Sequence, residues 1–198
     1  DLLSFVPRPV HAVILLFPIT STYEQFRVEE DEKNLNPPRD VIWFKQTIKN
    51  ACGLYALLNA ISNLPDDNFE KNAKILKFKE SYKDTSKVEE LINGFQEEYA
   101  SLANSGQTEA PAPEDDITLH FLAIIKKDNK IYELDGRRTG VIELGDADDK
   151  ENEDLLSEPI LGQRFQEYVN LCDDDNKLNF SLIALAPSFE WFNEIKTI

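Results

Sequence analysis

Residues 12–17, AVILLF, are apolar without a break, and they lie inside the longer stretch HAVILLFPI at 11–19. A strand with one wet face alternates apolar and polar side chains. An unbroken run of this length predicts a buried strand, ended by Pro18. It is of strand size, and no apolar run approaches the roughly 20 residues that a membrane helix needs. A chain of 198 residues, 41% hydrophobic and 29% charged, with 7 glycines and 10 prolines, has a globular rather than a disordered composition. It is most simply one domain, large enough to bury such a strand in a real core.

The rest of the chain supplies partners for that strand. ITLHFLAIIK (117–126) and KIYELD (130–135) are strand-like runs joined by a short polar turn, which predicts an antiparallel hairpin. GVIEL (140–144) and LNFSLIALAP (178–187) read as further strands, and VIWFKQ (41–46) as a strand or its end. Helical spacing of Leu54, Leu57, Leu58 and Ile61 predicts a helix over 51–62, with Asn50 as its N-cap. NFEKNAKILKFKES, with Ile75, Leu76 and Phe78, is a second helix. Residues 88–104, with Leu91, Ile92, Phe95 and Tyr99 on one face, are a third. GQRFQEYVNLC (162–172) is a fourth, with Phe165, Tyr168, Val169 and Cys172 together. The polar stretch STYEQFRVEEDEKNLNPPRD reads as a mobile surface loop closed by Pro37-Pro38, and SGQTEAPAPEDD (105–116) as a long loop of functional size. GDADDKENEDLL reads as a solvated approach to a helix.

The net charge is −16. Nucleic acid and anionic lipid are bound through basic patches, so this balance argues against both. It favours a basic partner, or simply solubility. Two cysteines, Cys52 and Cys172, do not make a disulfide framework in a chain of this size. Free thiols in a reducing, cytoplasmic setting are the expectation. The chain contains no methionine, which predicts that an N-terminal segment is missing ahead of residue 1.

Cys52 stands where an extended run gives way to a helix. A cysteine nucleophile must be a thiolate, and a helix N-terminus or a neighbouring imidazolium lowers its pKa. There are two histidines. His11, at the mouth of the first strand, reads as a surface residue. His120 lies mid-strand, and by itself would read as a histidine on the solvent side of a half-exposed strand. Asp135 would by itself read as a turn aspartate before Gly136. Across the predicted hairpin, however, the two fall roughly opposite one another. A carboxylate so placed fixes an imidazole's tautomer and supports its charged form. Gln46, six residues before Cys52, could donate its amide to a developing oxyanion beside the Cys52 backbone N–H. Cys172 reads as a core residue. These residues leave three readings open: a thiol hydrolase, another Cys-His-Asp acyl-transfer enzyme, or a binding module with an inert cysteine.

FKQTIKNACGLYALLNAI resembles the nucleophile region of the ubiquitin carboxyl-terminal hydrolases, where a glutamine precedes Asn-x-Cys-Gly at a helix start. LHF followed by YELDGR is similar to that family's histidine and aspartate motifs. PRPVHAVILLFP and SGQTEAP resemble its fungal members. Leu54 departs from the small hydroxyl residue that many members carry after Cys-Gly. The resemblance implies an α/β (α+β) papain-like fold, with a central, mainly antiparallel sheet flanked by helices and a knotted backbone. It implies one catalytic domain over 1–198, with Cys52 as nucleophile, His120 as general base and acid, Asp135 as its orienting group and Gln46 as oxyanion donor. No metal or cofactor is implied. The implied partner is ubiquitin, through its basic face and its C-terminal tail, bound by a monomer. The stretch 104–117 corresponds to the loop that crosses the family's active site and restricts the leaving group. A protease for a ubiquitin-like modifier and a non-catalytic ubiquitin-binding domain remain the alternatives.

Overall fold

The run at 12–17 needs no polar side chain because both faces of its strand are covered. In the computed structural model, which describes residues 2–84, 87–94, 118–148, 154–174 and 176–187, it forms β1 (Ala12–Pro18). The other strands are β2 (Leu119–Lys127), β3 (Lys130–Leu134), β4 (Ile142–Asp146) and β5 (Ser181–Leu185). All recorded pairings are antiparallel, in the order β4-β3-β2-β1-β5. The helices are α1 (Ser21–Lys33), α2 (Cys52–Ile61), α3 (Lys74–Ser81), α4 (87–94) and α5 (Pro159–Asn170).

Alternation along β1 divides the core. Val13, Leu15 and Phe17 join Leu122, Ile124 and Ile131 against Tyr23 of α1 and Leu161 and Tyr168 of α5. Ala12 and Ile14 join Ala123, Ile125, Tyr132 and Leu134 against Ala56 and Ala60 of α2. The two alanines let that helix lie close on the sheet. The other flank of α2, Leu54, Tyr55 and Leu58, packs on Phe44, Phe78 and Ile92. Leu57, assigned above to the apolar face, instead stands 43% exposed.

The predicted hairpin forms, turning through Asp128 and Asn129 with φ of 50° and 62°. Two left-handed residues in a two-residue loop match the twist of the flanking strands. Pairing Ala123 with Leu134 and Lys127 with Lys130 places the register one residue from the one expected. Asp135 is thus a diagonal neighbour of His120 rather than its opposite, on the same face of the sheet. The diagonal spacing of about 7–8 Å is within reach of long side chains.

Four further expectations need correction. The polar stretch from Ser21 is α1, not a loop. Thr20 caps it, its Oγ1 accepting from the Tyr23 N–H at 3.1 Å. Arg27 pairs with Glu24 and Asp31 along one flank. Its inner carboxylates serve buried arginines, beside the one buried ring of Tyr23. Residues 41–46 join no sheet. Side-chain amides take the place of a neighbouring strand: Asn63, just past the end of α2, accepts from the Ile42 N–H at 2.9 Å, and Asn59 of α2 accepts from the Phe44 N–H at 2.8 Å. Asn50 is not the cap of α2: it takes a left-handed φ of 59°, and Ala51, which has no capping side chain, occupies that place. Finally, Asp154 in the acidic run is buried, accepting from the Val10 N–H at 2.8 Å and pairing with Arg8. Phe95, Tyr99 and the expected loop at 104–117 lie outside the described residues. No helix among the described residues is long and apolar enough to cross a membrane.

Candidate active site

A cleft of about 470 Å³ opens at the end of the sheet, lined by Gln46, Cys52, His120 and Arg137 among others. Cys52 is the first residue of α2. Because Ala51 offers no side-chain cap, the first N–H groups of the helix are left for another acceptor. The sulfur takes that part: burial by itself would raise the Cys52 pKa, but the hydrogen bond and charge of His120 and the N–H groups of Phe121 and Gly53 bring it below the ordinary thiol value. Cys172, in contrast, has its pKa raised, chiefly by burial. Both cysteines are free.

His120 is 3% exposed on β2. Its Nε2 lies 2.7 Å from Asp135 Oδ1. The carboxylate can only accept, so Nε2 carries a proton and Nδ1 is the nitrogen left for Cys52. Burial would lower the His120 pKa, yet the charge of Asp135, its hydrogen bond and the contact with Cys52 push it up to about 9. Asp135 is fully buried, which would raise its pKa. The charge and hydrogen bond of His120, the Arg137 N–H and the charge of Arg138 hold it well below the usual carboxylate range. The Arg137 N–H reaches Oδ1 at 2.8 Å, and the Tyr23 hydroxyl donates to Oδ2 at 3.0 Å. Trp43 Nε1 donates to the Asp135 carbonyl at 3.0 Å.

Gln46 is brought to this cleft by its own backbone, whose N–H donates to the Gly136 carbonyl at 2.9 Å. A Cβ on Gly136 would sit 2.8 Å from the Gln46 Cβ, so this approach requires glycine. Gln46 Nε2 donates to the Ile48 carbonyl at 2.9 Å, which leaves its second N–H. Its Oε1 is buried with no hydrogen-bond partner. Cys52, His120 and Gln46 therefore line one cleft, with Asp135 buried against His120, while His11 and Cys172 do not line it. A base-paired sulfur at an uncapped helix start, with amide donors beside it, can carry out nucleophilic acyl transfer.

Tyr23 and Trp43 were not among the sequence candidates for this site. The signal for Tyr23 was the Thr20 cap together with Glu24–Arg27 and Arg27–Asp31 at helical spacing. The contact of Trp43 with Asp135 has no local signature.

A family model described as ubiquitin carboxyl-terminal hydrolase, family 1, matches residues 1–170. Ubiquitin carboxyl-terminal hydrolase YUH1 of Saccharomyces cerevisiae is 33% identical over 199 residues, covering 96% of this chain and 82% of that protein. Ubiquitin carboxyl-terminal hydrolase 3 of Arabidopsis thaliana is 36% identical over 194 residues, covering 94% and 79%. Among solved structures, the Trichinella spiralis UCH37 catalytic domain bound to ubiquitin vinyl methyl ester superposes with a TM-score of 0.64 over 92% of this chain and 78% of that one. At 20% identity, that likeness speaks for the fold alone.

Proposed function

The chain belongs to the ubiquitin carboxyl-terminal hydrolase family and is a cysteine-type hydrolase, and from that premise we propose that it cleaves amide or thioester bonds at the C-terminal glycine of ubiquitin, with Cys52, His120, Asp135 and Gln46 as its working groups. One observation carries the assignment: Cys52 and His120 line one cleft at a helix start, with His120 hydrogen-bonded at 2.7 Å to buried Asp135.

The Cys52 thiolate attacks the glycine carbonyl carbon, forming a C–S bond as the carbonyl electrons move to oxygen. The backbone N–H of Cys52 and the Gln46 amide receive that oxyanion, and one such donor is worth about 2.7–4 kcal/mol of barrier. His120 delivers its proton to the departing amine as the C–N bond breaks. Water, deprotonated by His120, then attacks the thioester and expels the thiolate. Asp135 holds His120 in the tautomer that both proton transfers need. The two glycines before the scissile bond carry no side chains to clash with the walls of the cleft.

The remaining parts of the reading are a single catalytic domain over 1–198, a monomer, and a cytoplasmic enzyme that meets ubiquitin's basic face with a chain of net charge −16. The test is reaction with ubiquitin carrying a C-terminal electrophile, followed by mapping of the adduct, alongside turnover by Cys52→Ala. An adduct on Cys52, with turnover abolished and ubiquitin binding kept in the variant, is the expected result. Surviving turnover, or an adduct elsewhere, overturns the assignment. Running the same assay with ubiquitin-like modifiers and plain peptides separates this enzyme from other acyl-transfer proteases.

A further inference from the structure

We propose that Tyr23 is a positioning residue for the reaction: its hydroxyl fixes the plane of the Asp135 carboxylate, so that Oδ1 stays turned toward His120. This rests on the Cys52–His120–Asp135 reading above and extends it to a fourth side chain.

The two oxygens of Asp135 are held differently. Oδ1 accepts from His120 Nε2 at 2.7 Å and from the Arg137 N–H at 2.8 Å. Oδ2 accepts from Tyr23 at 3.0 Å. Without that donor, a fully buried carboxylate would keep one oxygen unsatisfied and could pivot about its Cβ–Cγ bond. Tyr23 is placed to prevent this before any substrate arrives. It is 1% exposed. Its ring is wedged edge-on against Phe17 at 4.8 Å and lies 5.7 Å from Tyr168. Its backbone N–H is tied to Thr20 Oγ1, and that hydroxyl donates in turn to the Leu171 carbonyl at 3.1 Å. The first turn of α1 is thereby locked to the end of α5, and the phenol is aimed at the sheet. Burial and the Asp135 charge raise the Tyr23 pKa, so the hydroxyl remains a donor across the working range.

The donor also sets the charge that Asp135 offers to His120. A hydrogen bond into Oδ2 is stronger when the carboxylate is not neutralised by an imidazolium, so it favours neutral His120 slightly. Removing it therefore raises the His120 pKa, and strengthening it lowers that pKa. The other charged and titratable groups that act on this pair are Cys52 at the start of α2, Glu133 at the end of β3, Arg138 in the following turn, and Tyr168 of α5. Each of these side chains stays in place when only the Tyr23 oxygen is changed, as does Arg27 of α1, which also feels Tyr23.

The experiment is the pH profile of kcat and kcat/KM on a ubiquitin C-terminal amide for the wild-type protein, Tyr23→Phe, Tyr23→3-fluorotyrosine and Asp135→Asn, with thermal unfolding of each. Tyr23→Phe keeps the ring and its packing. It is expected to lower kcat about tenfold, the size of one hydrogen bond to a charged group, with KM within about twofold. Its alkaline limb is expected to move up by about half a pH unit. The fluorinated phenol is a stronger donor and is expected to move that limb the other way while retaining kcat. A residue that only fills space would produce no such ordering. If both variants fold and show wild-type kcat and alkaline limbs, or limbs that move in the same direction, the inference is overturned. Should Tyr23→Phe fail to fold, the fluorinated variant alone decides by the direction of its limb. Asp135→Asn separates the two levels. If it turns over at the wild-type rate, the site reading itself is wrong; if it is slow while both Tyr23 variants match the wild type, the inference about Tyr23 alone is overturned.

Discussion

The sulfur of Cys52 and the ring of His120 support each other's charge, and this has consequences that can be measured residue by residue. The Cys52 pKa is lowered and the Cys172 pKa raised, so iodoacetamide at neutral pH is expected to label Cys52 well ahead of Cys172. Labelling of both at equal rates, read by peptide mapping, would contradict the lowered Cys52 pKa. The same groups shape stability. His120 titrates near 9 in the folded protein against about 6.5 unfolded. Its contribution is therefore fully present below about pH 6.5 and is lost as pH rises through 9. Asp135, whose folded pKa is depressed, contributes above its unfolded value of about 3.9 and loses that contribution as pH falls. Urea midpoints across the pH range should decline at both ends, and Asp135→Asn should flatten the alkaline decline. Gly136→Ala is expected to cost about 1–3 kcal/mol by overpacking. It should cost more in kcat than in stability, because the new Cβ pushes directly on Gln46.

At the scale of elements, α2 does three jobs at once, and its sequence shows two of them. Its N-terminus presents Cys52, and its apolar residues join two cores, Ala56 and Ala60 on the sheet and Leu54, Tyr55 and Leu58 on the far side. Its third job, accepting from the Phe44 backbone N–H through Asn59 while Asn63 just past its end accepts from Ile42, is hidden because VIWFKQ has strand composition. Side-chain amides can replace a neighbouring strand, and composition does not distinguish the two. Asn59→Ala would strand the buried Phe44 N–H and is expected to destabilise the protein by about 1–3 kcal/mol. Because 41–46 carries Gln46, kcat should fall as well. A denaturation curve and a rate unchanged from wild type would show that segment to be held by packing alone.

At the scale of the whole molecule, a buried ionic network joins elements that are far apart in the chain. Glu133 on β3, fully buried, bonds Arg138 at 2.9 Å, Arg164 of α5 at 2.7 Å and the Tyr168 hydroxyl at 3.0 Å. Both arginines also reach Glu30 of α1. The charge of Glu133 holds two arginines, so Glu133→Gln is expected to cost about 3–5 kcal/mol, as breaking a buried pair does. A chemical denaturation midpoint unchanged from wild type would refute this. The network also explains why the acidic stretch after Ser21 looks like a loop in the sequence. Its helix has only a weak apolar stripe, because Tyr23 shares the inward face with carboxylates whose partners lie more than a hundred residues away.

What the sequence by itself determined were the features that obey local rules. The two-faced burial of β1 followed from its unbroken apolar run, the hairpin from its turn and flanking strands, and the helix at Cys52 from its spacing. The family followed from three short motifs in order, which a local reading can hold. Tertiary structure alone decided the rest. It set the diagonal register of His120 and Asp135, the helix made from an acidic stretch, the amide ladder under Gln46 and the reach of Tyr23 to Asp135. Each of these depends on a partner supplied by a distant segment, and a charge or an amide has no preferred conformation until that partner is in place.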